Sequence, residues 1–292
     1  MVGIIGNIVN TGNIMNTRNV GNFRNTGNVG NTRDDGNMSY RSNNNNKSSI
    51  VLISINNLTK SYAKNLAVDN ISLDIFKDEI FGFAGPNGAG KSTLISLLTT
   101  LIKPDKGDII INGYSVFTEA FQIRKMIGFV PQDIALYPTL TGYDNLKFWG
   151  GLYGLRGREL SARIDEALAV VAMKDRAHDK VEEYSGGMKR RINIAAALLH
   201  HPDILLMDEP TVGVDIISRH YIIDAIKNLK REGRTIIYTS HDIEEMEMVC
   251  DRVAIMNYGR ILKCDTVEKL KRDGKNHTLK DTVLNVVLSE EH

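Results

Sequence analysis

Residues Gly85, Pro86, Asn87, Gly88, Ala89, Gly90, Lys91 and Ser92 run consecutively and read G-P-N-G-A-G-K-S. Glycines at that spacing let successive backbone N–H groups turn inward, a nest for an anion. A lysine and a hydroxyl at its end suit a polyphosphate. Lys91 reaches the β- and γ-phosphates, and the Ser92 hydroxyl ligates Mg²⁺. Such a loop works only between a strand and a helix, so that the helix dipole also faces the anion. Both neighbours are present: Ile80 to Ala84 is a short apolar run, and Lys91 to Leu101 carries apolar and small residues at helical spacing. The phosphate-contact set therefore runs from Gly85 to Thr93, with Lys91 also counted as catalytic.

A second anion device lies further on. Tyr184-Ser185-Gly186-Gly187-Met188-Lys189 precedes the apolar stretch Ile192 to Leu199. A hydroxyl and two glycines at a helix N-terminus offer free N–H groups and the positive dipole end. Next comes Ile204-Leu205-Leu206-Met207-Asp208-Glu209. Four apolar residues followed by two acids read as a buried strand delivering carboxylates to its C-terminal edge, where open α/β sheets place ligands. Asp208 binds Mg²⁺, directly or through water, and Glu209 polarises the water that attacks the γ-phosphate.

With these residues in hand, the chain resembles the ATP-binding cassette (ABC) family over about residues 51–265, with the family's motifs in the family's order. The resemblance implies that Tyr62 stacks on adenine, and that Gln132, in Phe129-Val130-Pro131-Gln132, contacts the γ-phosphate and Mg²⁺. It makes Ser185, Gly186 and Gly187 the signature. It makes Asp215 the aspartate-loop residue and His241, in Thr239-Ser240-His241-Asp242, the switch histidine. His241 then holds the γ-phosphate and the attacking water in line. Within the family, Thr211 to Asp215 and Leu146 to Leu155 look like the ATPase subunit of multidrug and polysaccharide exporters of the ABC-2 type. Met188 and Tyr184 depart from the glutamine and leucine common at those positions.

The resemblance further implies a head-to-tail pair, a homodimer or a pairing with a sister subunit. Each ATP then lies between Lys91 of one copy and Ser185 with Gly187 of the other, and a membrane-spanning permease subunit receives the work. The competing reading is a soluble ABC-type ATPase in assembly or regulation. A chromosome or repair ATPase needs a long coiled coil between the P-loop and the signature, and none is written here.

These residues need elements to hold them. The expected fold is α/β: a P-loop NTPase (RecA-like) core with a mostly parallel sheet, an antiparallel β subdomain and an inserted helical subdomain at about 138–184. Val51–Ile55, Leu66–Val68 and Ile71–Ile75 read as strands of the antiparallel layer, with Tyr62 in a loop. Asn112-Gly113 after Asp108–Ile111 is a hairpin turn signal. Asp144–Tyr153 and Ser161–Met173 read as helices of the insert. Its aromatic residues Tyr143, Phe148, Trp149 and Tyr153 suit either a permease contact or the insert's own core. Beyond, strand and helix alternate: Ile204–Asp208, Ile217–Lys230, Thr235–Thr239, Ile243–Val249, Arg252–Asn257. The cassette spans 50–265, and 266–292 reads as one short helix and a tail.

Composition sets the limits. Lysine plus arginine is 36 against 35 acids, so no nucleic-acid charge signature exists and no nucleic acid is expected. The two cysteines form neither a metal cluster nor a disulfide framework. No apolar run reaches the length that spans a bilayer. The expected place is the cytoplasm, peripheral to the membrane through a partner. Residues 1–49 repeat asparagine at every third position from Asn7 to Asn31. They are either a disordered low-complexity tail or sequence ahead of a true start at Met38 or later.

Overall fold

The computed structural model describes residues 50–63, 65–274 and 277–290. The expected low-complexity tail lies outside them. Strands β1 (Val51–Tyr62), β2 (Asn65–Phe76), β4 (Lys106–Ile111) and β5 (Tyr114–Ser115) form an antiparallel sheet in the order β2-β1-β4-β5. Strands β3 (Ile80–Ala84), β6 (Ile127–Val130), β7 (Ile204–Asp208), β8 (Thr235–Thr239), β9 (Arg252–Asn257) and β10 (Arg260–Thr266) form the second sheet, in the order β10-β9-β3-β8-β7-β6. All of its neighbours are parallel except β10 on β9.

The parallel strands are buried on both faces, and their alternation sorts two cores. Ile80, Leu205, Met207, Ile236, Tyr238, Val253 and Ile255 point into one. Phe81, Phe83, Ile204, Leu206, Ile237, Ala254 and Met256 point into the other. The first core takes in helices α3 (Gly142–Leu152), α4 (Gly157–Val170), α5 (Gly186–Leu198), α6 (Ile216–Arg231) and α7 (Ile243–Val249). The second packs under the antiparallel sheet and takes in α1 (Lys91–Leu98) and α2 (Ala120–Met126). The chain is thus an α/β P-loop fold whose two sheets share one buried layer.

Several expected elements have different bounds. The two short strands expected at Leu66–Val68 and Ile71–Ile75 are one strand, β2. The polar Asp69-Asn70 between them is a bulge rather than a break: Asn70 has φ 49° and the β1 register shifts opposite it. Tyr62 is the last residue of β1, paired with Asn65, and not a loop residue. Asn112 and Gly113, with φ 49° and 84°, join Ile111 to Tyr114 as the sequence signals. A second turn of that kind, Tyr258-Gly259 at φ 44° and 77°, was not legible, and β10 beyond it was missed. The C-terminal region holds two helices, α8 (Val267–Asp273) and α9 (Leu279–Leu288), where one is expected.

Helix α3 is capped by Thr141, whose hydroxyl accepts from the Asp144 N–H at 3.0 Å, and it sorts the aromatic set. Trp149 is buried, and Tyr153 stacks on His200 with centroids 3.9 Å apart, so both belong to the core. Phe148 remains 39% exposed, edge-on to Tyr137.

Candidate functional site

The P-loop geometry follows from two close approaches. Gly90, the cap of α1, has φ 101°, and a Cβ there would run into the carbonyl oxygen of Ala67 on β2. Only glycine lets the antiparallel sheet come so near the loop. Lys91 is 7% exposed and curls back, donating to the carbonyls of Gly85 at 2.7 Å and Pro86 at 3.0 Å. Burial holds its ammonium below the ordinary pKa, while Glu209 and Asp208 pull it up again. A cation held by two neutral carbonyls in a partly dry loop is a ready partner for a phosphate.

Opposite stand the C-terminal ends of β6, β7 and β8. Gln132 follows β6, Asp208 ends β7, and His241 follows β8. Asp208 accepts from the Thr239 hydroxyl at 2.6 Å across the β7–β8 pairing. Burial raises its pKa, against the Thr239 hydrogen bond and the nearby Lys91 and Arg190 cations. Glu209 has φ 47°, a left-handed conformation uncommon outside glycine. Thr239 holds it there, taking the Glu209 N–H on its carbonyl at 3.2 Å and on its hydroxyl at 3.0 Å. The turn aims the Glu209 carboxylate along the sheet edge. Its Oε2 accepts from Gln132 Nε2 at 3.2 Å and lies 3.5 Å from His241 Nδ1.

Between these parts lies a cleft of about 590 Å³. Tyr62, Asn87, Gly88, Ala89, Gly90, Lys91, Ser92, Thr93, Gln132, Glu209 and His241 line it, all of them singled out in the sequence. Gly85, Pro86 and Asp208, also expected at the site, do not line it: Gly85 and Pro86 hold Lys91 through their carbonyls, and Asp208 accepts from Thr239. The sequence reading missed Asn65 and Ala67, which also line it.

Ser185, Gly186, Gly187 and Asp215 do not line the cleft. They form a cluster of their own. Ser185 caps α5 by accepting from the Met188 N–H at 3.2 Å, and Asp215 caps α6 by accepting from the Ser218 N–H at 2.9 Å. A Cβ on Gly187 would overlap the Ser218 side chain and crowd Asp215. Gly187→Ala is therefore expected to push the two helix starts apart. Overpacking of this kind costs about 2 kcal/mol, a fall in Tm of about 5 °C by thermal unfolding. An unchanged Tm would show that Ser218 yields freely. Tyr184, the departure before Ser185, is buried and donates its hydroxyl to the Arg176 carbonyl at 2.5 Å.

Arg190 escaped the sequence reading. It is buried on α5 and donates to the carbonyls of Pro131 at 2.7 Å and Gln132 at 2.5 Å. It thus ties the helix that begins at Ser185 to the segment that presents Gln132. A cation three residues after Gly187 and four before Ile194, on one buried helix face, was the available signal.

A family model described as ABC transporter matches residues 68–212. The linearmycin resistance ATP-binding protein LnrL of Bacillus subtilis is 46% identical over 238 residues, which cover 82% of this chain and 75% of that protein. The chain belongs to the ABC transporter family. The Nod factor export ATP-binding protein I of Cupriavidus metallidurans is 35% identical, covering 79% of this chain and 73% of that one. Among solved structures, a dimeric ATP-binding cassette in a post-hydrolysis state, with ADP and Pi bound, superposes with a TM-score of 0.67. It is 29% identical, and the match covers 73% of this chain and 98% of that one. As a member of the ABC transporter family, the chain binds and hydrolyses ATP. Among the described residues, no helix is long and apolar enough to cross a membrane.

Proposed function

We propose that the chain is the ATP-driven motor subunit of an exporter, acting at the cytoplasmic face of a membrane through a separate membrane-spanning permease. The observation that carries the working cycle is the separation of two phosphate-binding sets. Lys91 and its loop line the cleft, while Ser185, Gly186, Gly187 and Asp215 lie outside it. Two copies, or this chain and a sister subunit, arranged head to tail complete each site, with one chain's signature closing the other's P-loop. The solved dimeric cassette supports the pairing of two such chains. The export direction is supported by the relatives concerned with resistance and Nod factor export.

Tyr62 offers its ring to adenine, and the Gly85–Thr93 loop wraps the phosphates. Among the described residues, no three His, Cys, Asp or Glu side chains form a metal cage. That fits Mg²⁺, which takes one carboxylate, a hydroxyl and the oxygens of a bound nucleotide rather than a protein cage. Ser92, Gln132 and Asp208 would hold it, and it would offset charge on the phosphates. Glu209 takes a proton from the attacking water, and His241 steadies the γ-phosphate beside it. Loss of the γ-phosphate removes the contact both copies share, and the pair opens. Phe148, exposed on α3 beside Tyr137, is a seat for a permease segment.

The test is affinity capture of the Glu209→Gln variant with ATP from detergent-solubilised membranes. A polytopic membrane protein recovered in near-equal amount is the expected result. Recovery of soluble partners alone, from a variant that still pairs with ATP, would overturn the transport reading in favour of assembly or regulation.

A further inference from the structure

We propose that Arg219 is a positioning residue for hydrolysis, its guanidinium tying the turn that carries His241 to the helix that begins at Asp215. The proposal rests on the roles of Glu209 and His241 given above. His241 has little to hold it in place: its side chain is 60% exposed and meets Glu209 Oε2 only at 3.5 Å, so its position depends on the turn that carries it. The next residue, Asp242, is where Arg219 arrives.

Arg219 lies in the first turn of α6, and its N–H donates to the Asp215 carbonyl at 2.8 Å. Its side chain then forks. Nη2 donates to Asp242, and Nε donates to Glu245 Oε2 at 2.5 Å. Glu245 has a side-chain exposure of 0%. Its Oε1 accepts from the Thr211 hydroxyl at 2.7 Å and from the Tyr238 hydroxyl. A carboxylate so far from water is tolerable only when paired and hydrogen-bonded, and Arg219 supplies the charge.

The partners are what give this pair a consequence. Thr211 belongs to the segment between Glu209 and Asp215. Tyr238 precedes Thr239, the residue that holds the backbone of Glu209. Asp242 also caps α7, its Oδ1 accepting from the Glu245 N–H at 3.1 Å. The loop leading to Asp215, the end of β8 and the His241 turn therefore meet on one guanidinium–carboxylate pair. A shift of Asp215, which lies against Gly187 of the signature, is passed by Arg219 to the residue after His241. A lysine keeps a charge for Glu245 but lacks the rigid planar fork that holds both acids at fixed positions.

The test compares Arg219→Lys, Arg219→Ala and His241→Ala with the wild type in the full chain. Equilibrium ATP binding, kcat and KM of phosphate release, and Tm are measured for each. Misplacing a reacting group by about 1 Å costs about a hundredfold, and a partial slip less. Arg219→Lys is expected to lower kcat about tenfold with ATP affinity kept within about twofold. Arg219→Ala should lose more. Should Arg219→Ala fail to fold, because Glu245 is left buried and unpaired, Arg219→Lys decides. A folded Arg219→Lys with wild-type kcat, beside a His241→Ala that has lost turnover, overturns the proposal. Full turnover in His241→Ala overturns the reading of His241 itself, and the Arg219 proposal falls with it.

Discussion

Glu209→Gln is expected to reduce steady-state ATP hydrolysis by about 10²–10⁴-fold, the range for removal of a general base, with ATP affinity close to wild type. The amide has the size and shape of the carboxylate. Its carbonyl oxygen can still accept from Gln132 Nε2, as Glu209 Oε2 does at 3.2 Å. The left-handed backbone at φ 47° is held by Thr239 through main-chain contacts that the substitution leaves alone. What is lost is the capacity to take a proton from water. Tyr62 and the loop around Lys91 keep every group they offer the nucleotide, so binding persists. The nucleotide is then held without being cleaved, and the pair of cassettes that closes over it accumulates. Phosphate release in steady state measures the first effect. Size-exclusion chromatography with and without ATP measures the second, with a shift to twice the mass expected only with ATP. Hydrolysis at the wild-type rate would remove Glu209 from the role of base.

The P-loop and the two acids after β7 were readable because they sit where backbone rules are strict, whereas Tyr62, Gln132, Asp215 and His241 were singled out only through the family resemblance. Strands of the parallel sheet are apolar on both faces, so Ile204 to Met207 announced itself, and the acids at its end could only lie at the edge. The glycines of the P-loop are required by contacts such as that of Gly90 with Ala67, and their spacing is therefore fixed. Other features left no such trace. β10 is half-buried along most of its length and follows Tyr258-Gly259, a turn whose first residue is no usual turn former. Its pairing with β9 is decided by tertiary contact rather than by local preference. Arg190 and Arg219 were passed over for a different reason. Each is a cation on an otherwise ordinary helix, and its meaning lies in partners 58 and 26 residues away in sequence. The left-handed turn at Glu209 was equally hidden, since nothing in Asp-Glu-Pro declares a positive φ.

Lys91→Ala is expected to weaken ATP binding by about a hundredfold. A hydrogen bond to a charged group contributes about 1.5–3 kcal/mol, and each 1.4 kcal/mol is tenfold in affinity. Lys91 would make more than one such bond to the phosphates. The loop already shows what the ammonium is for. Its two partners, the Gly85 and Pro86 carbonyls, are neutral, and burial holds its pKa below the ordinary value. A bound triphosphate replaces partial charges with full ones, and that difference drives binding. The fold should tolerate the change. Lys91 itself lines the cleft, so water can take its place at the Gly85 and Pro86 carbonyls, and the methyl side chain suits the first turn of α1. Tm without nucleotide should therefore stay near the wild-type value, while the rise in Tm on adding ATP disappears at concentrations that stabilise the wild type. Titration with a fluorescent ATP analogue measures the affinity directly. Unchanged affinity would contradict the assignment of the P-loop. A lowered Tm without nucleotide would mean that Lys91 also holds the loop in shape, so that the cradle is built around its cation before any phosphate arrives.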